Sequence, residues 1–222
     1  MKAKRRFNIW LWVLLCVPCL LASCDHDVHD GEEEGGLSVS LTWADEADQG
    51  TEVKDVKLWI FDADKGSLIE EKHYGSTEEV ASQRFQLPEG TYRILTTTNL
   101  TEPFFISEQT RALTNWNNIQ IGLTNPKDVR NNAYFGVTDV KIDNKEGNYV
   151  VQNPIRSVLA ELTIIIENIP KGTEMSGKAL DCAWCLFPTL KNSDGEYGLP
   201  SIEPTEVELP TLLATESTLK SE

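Results

Sequence analysis

Residues 56–66 read VKLWIFDADKG, and this stretch decides the fold. Val56, Leu58 and Ile60 alternate with Lys57, Trp59 and Phe61, the period of two that sends successive side chains to opposite faces of a β-strand. With Trp59 and Phe61 on the second face, the strand is apolar on both sides and belongs inside its sheet. Asp62-Ala63-Asp64-Lys65-Gly66 then supplies turn residues, so residues 67–74 are expected to return as the hairpin partner.

The same alternation spreads outward. Leu37, Val39, Leu41 and Trp43 share one face opposite Ser38, Ser40 and Thr42. Residues 84–87 and 91–98 flank Pro88-Glu89-Gly90 and read as a second hairpin, with Gly90 in the positive-φ position. Shorter strands are expected at 119–123, 133–137, 137–142 and 149–152. Residues 157–168 form the longest alternating run and read as an interior strand; 178–187 reads as another, before a polar hairpin tip at 192–198. Only 77–83 and 107–115 carry a turn or two of helical pattern. Short strands punctuated by turn residues predict an all-β protein, an antiparallel β-sandwich. The expected organisation is a sandwich domain over 37–169 and a partial second β segment over 170–222, too short for a comparable second sandwich.

Ahead of the strands, Lys2, Lys4, Arg5 and Arg6 precede an apolar run over 9–20, and Leu21-Ala22-Ser23-Cys24 closes it. A small-residue tetrapeptide ending in Cys is where bacterial lipoproteins are cut and acylated. Residues 1–23 therefore read as a signal peptide, with cleavage between Ser23 and Cys24 and lipid on Cys24. The run is too short to span a bilayer as a mature helix. Cys16 and Cys19 follow Leu15 and Pro18 rather than a small residue and fit the pattern poorly. Residues 24–36 include DHDVHDGEEEGG, an acidic stretch with nothing to bury, and read as a flexible tether.

Charge excludes several partners. The whole chain carries −15, and loss of residues 1–23 removes four basic and no acidic side chains, leaving −19. No basic cluster follows the signal, so nucleic acid is not an expected partner, and anionic headgroups would repel the chain. Membrane attachment is then expected through lipid, where several acyl chains make an effectively permanent anchor.

The remaining constellations read structurally. Asp62, Asp64 and Gly66 begin a calcium-loop pattern, but position five is Gly and no Glu falls at position twelve, so a hairpin turn accounts for them. Cys182-Ala183-Trp184-Cys185 falls in an expected strand, where residues three apart point to opposite faces. That placement argues against a thioredoxin-type pair, and two thiols alone do not complete a zinc site. His26 and His29 lie among tether acids, and His73 has no nucleophile motif nearby. No metal, no cofactor and no catalytic residues are expected. Among the aromatics, Trp43 continues an apolar face, whereas Trp59 and Phe61 would form an exposed platform if their face were uncovered.

The lipidated Cys24, the acidic spacer, the first strand ending in Trp43, VKLWIFDADKGSL, FQLPEGTYRILTTTN and RSVLAELTIII, in that order, resemble the FimB-type fimbrial anchor lipoproteins and fimbrillin-like proteins of Bacteroidetes. The resemblance covers 37–169. It implies a transthyretin-like sandwich, a lipid anchor in the cell outer membrane, exposure at the cell surface, and a non-catalytic role as anchor or accessory subunit beside other fimbrial subunits. Acids next to the lipidated Cys also resemble the export signals of Bacteroidetes surface lipoproteins. Polymerising subunits of this group are cut after an Arg, yet no Arg lies between Cys24 and Arg84, so the lipid is expected to stay attached. Docking would then proceed by β-strand pairing. The alternative from another class is a glycan-binding surface lipoprotein using Trp59 and Phe61.

Overall fold

The computed structural model describes residues 35–107, 114–124, 132–159, 164–201, 205–209, 211–213 and 218–221. They are almost wholly β. A six-stranded sheet runs β1-β8-β7-β4-β2-β3, from β1 (Gly36–Trp43), β2 (Val56–Asp62), β3 (Leu68–Tyr74), β4 (Gly90–Thr98), β7 (Tyr134–Ile142) and β8 (Asn148–Ser157). A four-stranded sheet runs β13-β12-β6-β5, from β5 (Phe104–Ser107), β6 (Gln120–Leu123), β12 (Cys185–Lys191) and β13 (Tyr197–Pro200). One helix, α1 (Thr77–Ala81), is capped by Ser76, whose side chain accepts from the Glu79 N–H.

Strand β2 sits between β4 and β3, as its two apolar faces require. Val56, Leu58 and Ile60 enter a core with Tyr92 and Ile94 of β4, Leu37 and Val39 of β1, Val80 of α1 and Phe85. Trp59 and Phe61 enter a second core with Leu95 and Ile119, against which Ile106, Trp116 and Val137 pack. For β1 at the far end of the sheet to share a core with β2, the sheet must curl back on itself.

The curl has a local cause at Pro154. β7 and β8 pair only at Tyr134–Ser157 and Phe135–Arg156. Beyond that, Pro154 has no N–H to continue the ladder, and β8 pairs with β1 instead, from Gly36–Asn148 to Trp43–Ile155. That pairing is parallel, a departure from the purely antiparallel expectation. Asn153, fully buried, bridges the split by donating to Thr96 Oγ1 at 3.0 Å and to the Gly136 carbonyl at 3.3 Å.

Several expectations change. Residues 84–87 are not the hairpin partner of β4: Phe85 makes one antiparallel bridge to Leu37, and β4 pairs with β2 and β7. Gly90 opens β4 opposite Ile142, outside the positive-φ set. The two strands expected at 133–142 are one continuous β7. The run 157–168 is not a single interior strand. β8 ends at Ser157, 160–163 lie outside the described residues, and β9 (Ile164–Glu167) pairs with β16 (Thr218–Ser221) and leaves Ile165 56% exposed. Most of the helical pattern at 107–115 also lies outside the described residues.

Residues 178–187 divide into β11 (Lys178–Cys182) and β12, which belong to different sheets. Because β12 and β13 complete the sheet begun by β5 and β6, the division at 169/170 runs through that sheet rather than beside it. The rest of the tail forms two-stranded ribbons, β10 (Glu174–Met175) with β15 (Leu212–Leu213) and β11 with β14 (Thr205–Glu208). Beyond Ser157, Pro188 and Thr189 are the buried positions among the described residues, both in β12. Among the residues whose burial is described, the ribbons add strand without adding a buried position.

The turn after β2 is the hairpin that Asp62 and Gly66 suggest. Asp62 Oδ1 accepts from the Asp64 and Lys65 N–H groups at 3.0 and 2.9 Å, and Gly66 takes φ +72° while donating to the Asp62 carbonyl. A Cβ at Gly66 would lie 2.7 Å from side-chain nitrogens of Asn115 and Trp116. Gly66→Ala is expected to destabilise the fold by about 1–3 kcal/mol. Urea unfolding measures this, and an unchanged midpoint would contradict the tight-turn account.

Candidate functional site

Sequence-predicted sites fare differently. Ser23 and Cys24, with His26 and His29, lie outside the described residues. Trp59 and Phe61 are both 0% exposed. They cannot be the exposed aromatic platform of the glycan alternative, because Ile106 of β5, Trp116 of the 3₁₀ turn Trp116–Asn118 and Ile119 pack on their face. Trp43 is half-buried, edge-on to Tyr134 with centroids 4.9 Å apart. His73 hydrogen-bonds Asp55 at the surface.

Cys182 and Cys185 flank the break between β11 and β12 rather than lying within one strand, and neither is in a disulfide. Both line an apolar cavity of about 370 Å³ with Leu123, Leu159 and Pro200. Trp184, 37% exposed, stands at its edge. Among the described residues no group of three or more His, Cys, Asp or Glu is placed to hold a metal ion.

The charged centre that sequence reading missed is a clasp between the sheets. Arg93 of β4 donates to Asp139 of β7, Nε to Oδ1 at 2.8 Å, and the Tyr197 hydroxyl of β13 donates to Oδ2 of the same carboxylate at 2.6 Å. The guanidinium lies 4.2 Å from the Trp116 ring centroid and 5.1 Å from that of Tyr197, and Lys191 approaches Tyr197 from 4.9 Å. Partial burial pushes Asp139 up, but the hydrogen bonds from Arg93 and Tyr197 and the nearby cations outweigh it, leaving the carboxyl below its ordinary range. Burial first, then the bond to Asp139, raises the Tyr197 phenol to about 12. These residues are 46 and 58 positions apart in the chain, so no local motif announces them.

Sheet edges are the other contact features. β3 presents Glu70, Glu71, Lys72 and His73, the charged composition that blunts an edge. β5 and β13 are four residues each, and β13 ends in Pro200. β1 is eight residues long and carries no charge. Gly36 and Ala44 donate toward β8, whereas Leu37 donates to and accepts from Phe85 on the opposite side. By that alternation the backbone groups of Val39, Leu41 and Trp43 face away from β8, and no hydrogen bond to them occurs among the described residues. α1 packs beside β1, and Val39 is covered; Leu41 and Trp43 are half-exposed.

Fold and surface together define an all-β sandwich whose contact features are a strand edge left open among the described residues and shallow surface depressions. The model of the family described as fimbrillin-A associated anchor proteins Mfa1 and Mfa2 matches residues 24–197, and the chain belongs to that family. Solved structures share the fold. The fimbrial anchor protein Mfa2 from Porphyromonas gingivalis superposes with a TM-score of 0.56 at 14% identity, over 82% of this chain and 74% of that one. A candidate polysaccharide-binding protein from Bacteroides thetaiotaomicron gives 0.53 at 12%, over 79% of this chain and 64% of that one. A candidate adhesin from Bacteroides ovatus gives 0.51 at 13%, over 86% and 70%. The chain thus spans about two thirds of the length of the Bacteroides thetaiotaomicron protein. No curated protein matches the sequence.

The clasp carries a stability prediction. Asp139→Asn is expected to cost about 1 kcal/mol, less than a buried charge-assisted pair because the carboxylate is 39% exposed. A depressed folded-state value means that the Asp139 contribution is full above the unfolded carboxylate range. It should disappear as pH falls through the lower folded value, below about pH 4. The raised Tyr197 value acts at the other end: its contribution is full below pH 10.0 and lost as pH rises through about 12. Thermal melts of wild type and Asp139→Asn across pH check both limbs; a constant difference from pH 2 upward would contradict the clasp.

Proposed function

We propose that this chain is a lipid-anchored surface protein of the outer membrane that serves as a fimbrial anchor or accessory subunit without catalysing a reaction. Membership of the anchor family carries the reading. The sequence around Ser23 and Cys24 supports the lipid. A chain without Arg between Cys24 and Arg84 also supports its retention, since a cut at Arg84 would fall after β1, β2, β3 and α1.

Docking proceeds by β-strand pairing, and the edge of β1 is the best-suited edge. It is uncharged, longer than β5 or β13, and its outward N–H and C=O groups at Leu41 and Trp43 are available for a ladder. α1 and the Phe85 bridge shield the first half of the same edge, which limits pairing to an extended segment entering beside 41–43.

Two experiments test this. Metabolic palmitate labelling should tag wild type and fail with Cys24→Ala, while external protease should reach the wild-type protein on intact cells; an unlabelled wild type removes the lipid anchor. A photo-crosslinking amino acid at Leu41 should capture a fimbrial subunit that co-purifies with sheared fibres. Capture from Lys72 on β3 and not from Leu41 would move the docking edge.

A further inference from the structure

We propose that the polar depression beside the start of β2 binds a neutral polyhydroxylated ligand, a sugar unit of a glycan, independently of the fimbrial role. The depression, about 530 Å³, is lined by 51–55 except Val53, together with Asn99, Thr101, Asn132 and Tyr134. That volume lies within the range of small-molecule sites.

Its walls are built in advance of any ligand. Asn99, in the left-handed region at φ 56°, closes a three-bond clamp on the opposite chain. Its Oδ1 accepts from the Lys54 N–H at 2.7 Å, its N–H donates to the Lys54 carbonyl at 3.0 Å, and its Nδ2 donates to the Glu52 carbonyl at 2.9 Å. Asp55 beside it also holds a positive φ, 53°. Buried Tyr134 forms another wall, its hydroxyl accepting from Asn132 and donating to Asp48 Oδ1, each at 3.3 Å. A site fixed in this way loses little entropy when a ligand arrives.

The lining selects the chemistry. Glu52 faces Lys54 at 2.8 Å and Asp55 is bonded to His73, so the charges are already paired within the protein. Two carboxylates against one Lys54 ammonium leave the lining net negative, which disfavours phosphate or any other anion. The lining has no open aromatic face for a nucleobase and no apolar wall for an acyl chain. Open to solvent, and without a protein partner among the described residues, are the hydroxyls of exposed Thr51 and Thr101 and the side-chain carbonyl of exposed Asn132. Each hydroxyl both donates and accepts, so a ligand whose own groups do both can use the full capacity of such a set at once. A sugar ring does.

NMR titration of the full chain with neutral trisaccharides of glucose, galactose, mannose and N-acetylglucosamine, with sialyllactose and inorganic phosphate as anionic probes, tests the proposal. At least one neutral probe should bind, the anions should not, and Asn132→Ala and Thr101→Ala should each weaken binding about tenfold while melting like wild type. Trp184→Ala should leave binding unchanged. The proposal is overturned if no neutral probe binds, if the anions bind as well, or if Trp184→Ala and not Asn132→Ala abolishes binding. Capture of a fimbrial subunit from Leu41 should persist in Asn132→Ala, so the two readings fail separately.

Discussion

Val56, Leu58 and Ile60 on one face of β2 and Trp59 and Phe61 on the other are all fully buried, so a single strand obliges the fold to build cover on two sides. Burying each such side chain is worth about 1.5–3 kcal/mol, an upper range because the unfolded chain already shields part of it. Neither neighbouring strand supplies that cover, since β3 and β4 lie in the plane of the same sheet. One face is closed by β1, α1 and Phe85, reached through the curl at Pro154. The other is closed by Ile106 of β5, Trp116 and Ile119. The clasp of Arg93, Asp139 and Tyr197 then fixes β13, and through it β12, against the sheet that β2 anchors.

The same requirement explains the tail. Strands β12 and β13 earn their place by widening the second cover, and there the core ends: Pro188 and Thr189 are the buried positions described after Ser157. Leu180, at 65% exposed, and Ile165, at 56%, lie on two-stranded ribbons with no second layer over them among the described residues. Two strands alone are marginal in water, so the ribbons depend on the sandwich to which β12 joins them.

How much of this was legible in the sequence follows from the range of the interactions. The β2–β3 hairpin, the all-β class and the short helical pattern at 77–83 rest on neighbours within about ten residues, and alternation and turn residues report such contacts directly. The uncovered-platform reading of Trp59 and Phe61 failed because periodicity shows that a face is apolar and does not show what lies on it. The interior-strand reading of 157–168 failed for the mirror reason, since the run is apolar but Ile164–Glu167 meets a single partner strand. Pro154 was visible as a proline; that it would switch β8 from β7 to a parallel partner more than a hundred positions away was not. Asn99 and Tyr134 belong to the same class, polar residues whose partners at Lys54 and Asp48 are set by topology alone.

A surface protein that docks others by strand edges must keep one edge free and all others blunted, because an open edge is also an aggregation site. This molecule blunts β3 with charge, shortens β5 and β13, and covers the first half of β1 with α1 and Phe85. Covering half an edge is different from covering all of it. A shield ending near Leu41 excludes a long strand that would pair along all of β1, yet admits a short one that approaches from the Trp43 end. The register of such a strand is set by the parity that leaves Leu41 and Trp43 facing outward. In the docking proposed above, selectivity would come from the helix beside the edge more than from the edge itself, since backbone groups alone do not distinguish one strand from another.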